Sequence, residues 1–153
     1  MTEEDIPPIC MEIIKSFGGT KKGGKYYVQA VSRTAFNEDL RDKKEYDQKD
    51  LATIGDSVLD LLAAEKLFLE GKRTKGEITI ARSSLVDKNN LWKVALKIEL
   101  QEIIIWGSDE RDKKVWLKGP RALETSMEAI FGGLFLARGY MQTKKLFDVI
   151  FSE

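Results

Sequence analysis

The sequence predicts an all-α protein, and three observations carry that prediction. Apolar residues recur at helical spacing from Leu51 to Leu69. A second long segment is bracketed by Pro120 at its start and Gly139 at its end, as helices prefer. The shorter segments between them also place their apolar residues three and four apart. A chain of 153 residues favours a single domain, here residues 1–153, and is long enough to enclose a sizeable core.

In chain order, residues 9–17 (ICMEIIKSF) form a short apolar segment that fits either a helix or a strand. Residues 18–25 (GGTKKGGK) read as a glycine- and lysine-rich loop. Residues 26–36 mix aromatic and β-branched residues, which allows a strand or a helix. From about Tyr46 a helix is expected, capped by Asp47 or Asp50 and ended by Gly71. A second helix fits 76–87, and Asn89 or Asn90 opens a third through LWKVALKI. Residues 101–106 (QEIIIW) suit a strand or a buried helical turn, and 107–119 read as a charged loop. A long helix over 120–138 and a last one over 141–151 complete the chain.

Composition narrows the chemistry. The chain has 25 acidic and 25 basic side chains, so it offers nucleic acid no bulk attraction, and any RNA contact must come from local clustering. It has no histidine, which excludes serine–histidine and cysteine–histidine catalysis and histidine metal sites. The one cysteine, Cys10, has no internal partner, which suits a reducing cytoplasm. No apolar run is long enough to span a membrane, and the acidic N-terminus has no signal-peptide pattern. Chemistry therefore rests on carboxylates, lysines, hydroxyls or one thiol.

Three stretches carry candidate chemistry. Gly19 to Lys25 matches the glycine and lysine positions of a phosphate-binding loop, but Tyr26 stands where a magnesium-holding serine or threonine is needed, so a turn with solvated lysines is the plainer reading. In Leu51–Leu59 (LATIGDSVL), Gly55 is a costly residue in a helix interior, which implies close packing there, and Asp56 follows it with Thr53 and Asp60 on the same face. In residues 122–136, Glu124 and Glu128 share one face four residues apart and repel each other unless a cation intervenes, while Gly132 and Gly133 admit a neighbouring helix. On spacing alone, both acidic positions are as well explained by solvated helix faces. A carboxylate from each of two packed helices can also hold one hard cation.

The wider context of these acids resembles the ribonuclease III family. LATIGDSVL is similar to the family's signature helix, L-E-F-L-G-D-[SA]-x-L. MEAIFGGLFLARG is similar to its second helix, E-A-L-I-G-A-[IV]-[FY]-L-D-x-G. Between them, Arg82, Leu85, Val86, Asn89 and Leu91 fall where the family carries R-[AS]-x-L-V, an asparagine and a leucine-bearing helix. The resemblance covers roughly 46–147, with 1–45 matching loosely. It implies a helical bundle that forms a homodimer, a magnesium-dependent endonuclease for double-stranded RNA, and products with 5′-phosphate and 3′-hydroxyl ends. Manganese is a possible substitute for magnesium. Carried over by position, Asp56 and Glu128 are the catalytic and metal-binding residues. Ala52 and Thr125 stand where the family has two further acids, a pattern similar to its Mini-III branch, and they put a second metal in doubt. No double-stranded RNA-binding domain is expected beside this one, which is also similar to that branch. RNA affinity is then expected from the dimer groove, with Lys21, Lys22, Lys25, Lys118 and Arg121, and also Lys113 and Lys114, as candidate phosphate contacts. The alternative is a catalytically inactive RNA-binding or scaffold protein of the same fold.

Overall fold

The computed structural model describes residues 5–40, 47–72 and 74–152. Among these residues there are nine α-helices and no strand; the one β-like feature is an isolated parallel bridge between Ser32 and Ile105. The all-α expectation holds. The helices are α1 (Pro8–Ser16), α2 (Lys21–Val31), α3 (Thr34–Asp39), α4 (Gln48–Leu69), α5 (Lys75–Val86), α6 (Lys88–Lys97), α7 (Ser108–Lys113), α8 (Arg121–Arg138) and α9 (Tyr140–Phe151). Short 3₁₀ turns occupy Leu100–Glu102 and Val115–Leu117.

The centre of the molecule is α8. It packs against α4, α2, α6 and α9, and Leu123, Met127, Ile130, Phe131 and Leu134 on it are fully buried. α4 supplies the facing layer through Leu51, Leu59 and Leu62. Its start is set by a reciprocal cap: the Asp47 side chain accepts from the Lys49 amide at 2.9 Å, and the Asp47 amide donates to Asp50 at 3.2 Å. Both aspartates considered from sequence thus serve the same helix start, while Tyr46 lies outside the described residues.

A buried polar network ties α2, α3, α4 and α8 together. Gln48 is fully buried; its amide nitrogen donates to Ala30 O and Ser126 Oγ, and its amide oxygen accepts from Arg33 at 2.8 Å. Arg33 also donates to Glu110 at 2.7 Å and lies over the Trp106 ring.

Two sequence expectations are corrected. Residues 18–25 are not a continuous loop, because Thr20 caps a helix there, its hydroxyl accepting from the Gly23 amide at 3.0 Å. Lys21, Lys22 and Lys25 therefore stand on the first turns of α2. The phosphate-loop reading fails with it, since α1, not a strand, precedes the glycines. Residues 107–119 are likewise not all loop. Glu110 accepts from the Gly107 amide, Asp39 accepts from the Ser108 amide, and α7 forms between them and the following 3₁₀ turn. Three open alternatives are decided. The segment over 9–17 is the helix α1. Residues 26–36 are helical apart from the link around Ser32, and 101–106 form the 3₁₀ turn and the bridge at Ile105. Pro120 stands one residue before α8 rather than inside it.

Candidate active site

The site begins with two glycines. A Cβ at Gly55 of α4 would overlap the carbonyl oxygen of Glu128 on α8, and one at Gly132 would overlap the carbonyl of Leu51. The helices thus cross with backbone against backbone, each supplying a glycine where the other's main chain passes. This is the close packing that Gly55 and Gly132 imply in the sequence. The cost of a glycine inside each helix is offset by that contact.

The crossing brings the acids together. Asp56 follows Gly55 and is exposed, while Glu128 lies across the contact and is half-buried. Burial pushes the Glu128 carboxyl up to about 8, with the charge of Glu124, the hydrogen bond and charge of Asp56, and the charge of Asp60 all acting in the same direction. Asp56 and Glu128 thus act on each other across the helix crossing, and Glu128 holds its proton more tightly than an ordinary carboxyl. Glu124, one turn before Glu128, is also raised, chiefly by burial; Lys88 and Arg121 oppose that rise, and Asp56 and Asp87 add to it. Asp60 is partly neutralised by Arg82, 3.8 Å away.

The two positions that would carry further acids do not. Ala52 is buried on α4, and Thr125 is half-buried on α8. Among the described residues, no group of three or more acidic, cysteine or histidine side chains is arranged to hold a metal ion. The Asp56–Glu128 pair still fits one hard cation. Magnesium usually takes only one or two protein carboxylates and keeps water in its other positions. The crowding that holds a proton on Glu128 is also the negative charge that a cation would relieve.

The structure distributes the predicted basic residues unevenly. Lys21, Lys22, Lys25, Lys118 and Arg121 are all exposed. Of these, only Arg121 is among the charges that act on the acid cluster; Lys118 and Arg121 also line a shallow pocket with Arg33 and Glu110. Lys113 is ion-paired with Asp109 on its own helix. The sequence reading missed Lys88, the first residue of α6, whose charge reaches Glu124. Its sole signal in the sequence is its place after Asp87, which caps α6.

Comparison with known proteins accounts for this arrangement. The pattern of a family described as ribonuclease-III-like matches residues 25–153, reaching further towards the N-terminus than the motifs alone. Ribonuclease 3 of Aster yellows witches'-broom phytoplasma is 33% identical over 124 residues, covering 81% of this chain and 51% of that protein. Ribonuclease 3 of Natranaerobius thermophilus is 29% identical, covering 94% of this chain and 63% of that protein. The chain thus spans about half to two thirds of the length of these relatives. A solved nuclease domain of ribonuclease III from Campylobacter jejuni, whose dimer-forming region is described as flexible, superposes with a TM-score of 0.75 at 26% identity; the match covers 91% of this chain and 93% of that domain. No helix among the described residues is long and apolar enough to cross a membrane. With a matching family pattern over most of its length, and helices that superpose on a nuclease domain of the same kind, the chain belongs to the ribonuclease-III-like family.

Proposed function

We propose that the chain is a cytoplasmic, homodimeric endoribonuclease that hydrolyses phosphodiester bonds in double-stranded or structured RNA with magnesium, for which manganese can substitute. The observation that carries this reading is the Asp56–Glu128 pair, fixed by a backbone-to-backbone helix crossing and crowded enough to keep a proton. Relatives named ribonuclease 3 support the reaction class.

Asp56 and Glu128 would hold the cation. When bound, magnesium supplies positive charge at the scissile phosphate and activates water for attack. Glu128 has to release its proton to serve, so occupancy and pH are linked. The α4–α8 crossing keeps the two carboxylates at a fixed spacing, which limits reorganisation as the phosphate arrives. Cleavage leaves 5′-phosphate and 3′-hydroxyl ends.

A second copy completes the assembly. Thr53, Ile54, Val58, Leu61, Phe135 and Tyr140 line an apolar groove beside Asp56, with Leu61 54% exposed. An apolar groove on the site helix suits a self-complementary contact about a two-fold axis. The dimer-forming region described for the Campylobacter jejuni domain supports that occupant. Duplex RNA is read mainly through shape and phosphates, and Lys21, Lys22, Lys25, Lys118 and Arg121 are exposed for such contacts.

Ala52 and Thr125 favour a second reading, an inactive RNA-binding or scaffold protein of the same fold. One experiment separates the two. Purified protein is incubated with long duplex RNA and magnesium or manganese, and the product ends are mapped. Cutting that is lost in Asp56→Asn and Glu128→Gln, with both variants folded, supports the enzyme. Binding without cutting at high protein concentration selects the scaffold, and undiminished cutting by either variant removes the assigned mechanism.

A further inference from the structure

We infer that Glu124 is a positioning residue of the Asp56–Glu128 site, its carboxylate accepting a hydrogen bond from a water molecule held on the cation; this rests on the hydrolase reading above. The placement comes from the faces of α8. Every residue from Arg121 to Leu134 is buried except Arg121, Glu124, Thr125 and Glu128. These stand at helical positions i, i+3, i+4 and i+7, so they form one open stripe along an otherwise enclosed helix. Glu124 and Glu128 are one turn apart on that stripe, which sets their Cβ atoms about 5–6 Å from each other. At Glu128 the stripe reaches the crossing with α4, where its main chain lies against Gly55 and Asp56 follows.

The protein leaves the Glu124 carboxylate without a close cation. The ion pairs among the described residues are Arg33–Glu110, Lys66–Glu70, Arg82–Asp60, Lys113–Asp109 and Lys144–Glu65, and Glu124 is in none of them. Two glutamates on one face repel each other, and a cation at Glu128 would turn that repulsion into attraction. Among the described residues no three acidic side chains converge to hold an ion directly, so Glu124 acts at longer range. Magnesium keeps several of its waters, and such a water donates readily to a carboxylate beyond the ligands themselves. Thr125, next to Glu124 on the stripe, has no charge to offer. Glu124 thus replaces, from the adjacent position, part of the negative charge missing at Ala52 and Thr125.

The test uses the full chain with Glu124→Gln, the double variant Glu124→Ala/Thr125→Asp, and Glu12→Gln, which removes an exposed carboxylate on α1. Calorimetric titration with magnesium chloride should show Glu124→Gln binding the ion roughly tenfold more weakly. Moving the acid one residue along the stripe, in the double variant, should restore most of that affinity. Glu12→Gln should bind as wild type does. Without metal, the Tm of Glu124→Gln should stay close to that of wild type, because no ion pair is lost. Magnesium binding by Glu124→Gln equal to that of wild type or of Glu12→Gln overturns the inference, and so does a double variant that remains as weak as Glu124→Gln. A metal-free Glu124→Gln that melts far below wild type also overturns it, by assigning the residue to the fold. A wild-type chain that binds magnesium but cuts no RNA fails the hydrolase reading alone, and the titrations still decide the role of Glu124. A wild-type chain that binds no magnesium overturns the inference directly.

Discussion

α4 and α5 follow one another in the chain, and both begin at a side-chain cap, Asp47 for one and Thr74 for the other. Yet α4 buries Leu51, Ala52, Val58, Leu59, Leu62, Ala63 and Leu67 with Gln48 and Gly55, whereas no residue of α5 is buried. The caps start both helices equally well, so they do not make the difference. α4 has a continuous apolar stripe and a glycine where α8 crosses it. α5 only leans on its neighbours through Leu85 and Val86, and leaves Ile80 73% exposed. A helix can therefore be well formed locally and still contribute little to the core. The site acids occupy the helices that do contribute, because a fixed spacing between carboxylates requires a contact that cannot slide.

That contrast can be broken most forcefully at Gly55. Gly55→Ala places a methyl group against the Glu128 carbonyl, and because backbone is poorly able to yield, the variant should lose about 3 kcal/mol or more, with a Tm roughly 10 °C lower. A Tm within a degree or two of wild type in thermal denaturation would show that the helices have room to separate. Next in size is Gln48→Leu, which leaves Ala30 O and the Arg33 and Ser126 side chains short of partners and should cost about 2 kcal/mol in urea unfolding.

Glu128→Gln should act in the opposite direction on stability. Because the folded carboxyl is raised to about 8, its stabilising contribution is complete below the ordinary glutamate range, near 4.5, and is lost as pH rises through 8. Metal-free wild type should therefore lose stability relative to Glu128→Gln between pH 5 and 9. With Glu128 half-exposed, the difference should be about 1–2 kcal/mol after allowance for solvent screening. Magnesium should raise the wild-type Tm more at pH 8 than at pH 6 and leave the variant unmoved. Parallel Tm profiles for the two proteins across that range would refute the crowded pair. The smallest effect belongs to α5: Ile80→Lys should change stability by less than about 0.5 kcal/mol, and a larger loss would reveal a partner surface over that helix.

The legible parts of the sequence were those with local causes. The α4 stripe, the Asp47 and Asp50 cap, and Gly139 at the end of α8 each act within a few residues, and they placed the long helices to within a residue or two. The segment over α2 misled because glycines and lysines are loop-like in composition, while the capping hydroxyl of Thr20 and the packing of Gly23 under the Phe17 carbonyl decide the helix. The segment over α7 misled for a similar reason: Asp39, far away in sequence, helps hold its first turn.

The sequence by itself determined the fold class, the main helices, the family motifs and the identity of Asp56 and Glu128 as the acids to examine, because periodicity, caps and motif order are written in consecutive residues. It could not say that burial and the charges of Glu124, Asp56 and Asp60 together raise the Glu128 carboxyl, that the charges of Lys88 and Arg121 oppose the rise of Glu124, or that Gly55 meets the backbone of Glu128 itself. Only the tertiary structure decided these, because burial and charge coupling depend on distances between helices, which no spacing along one chain records.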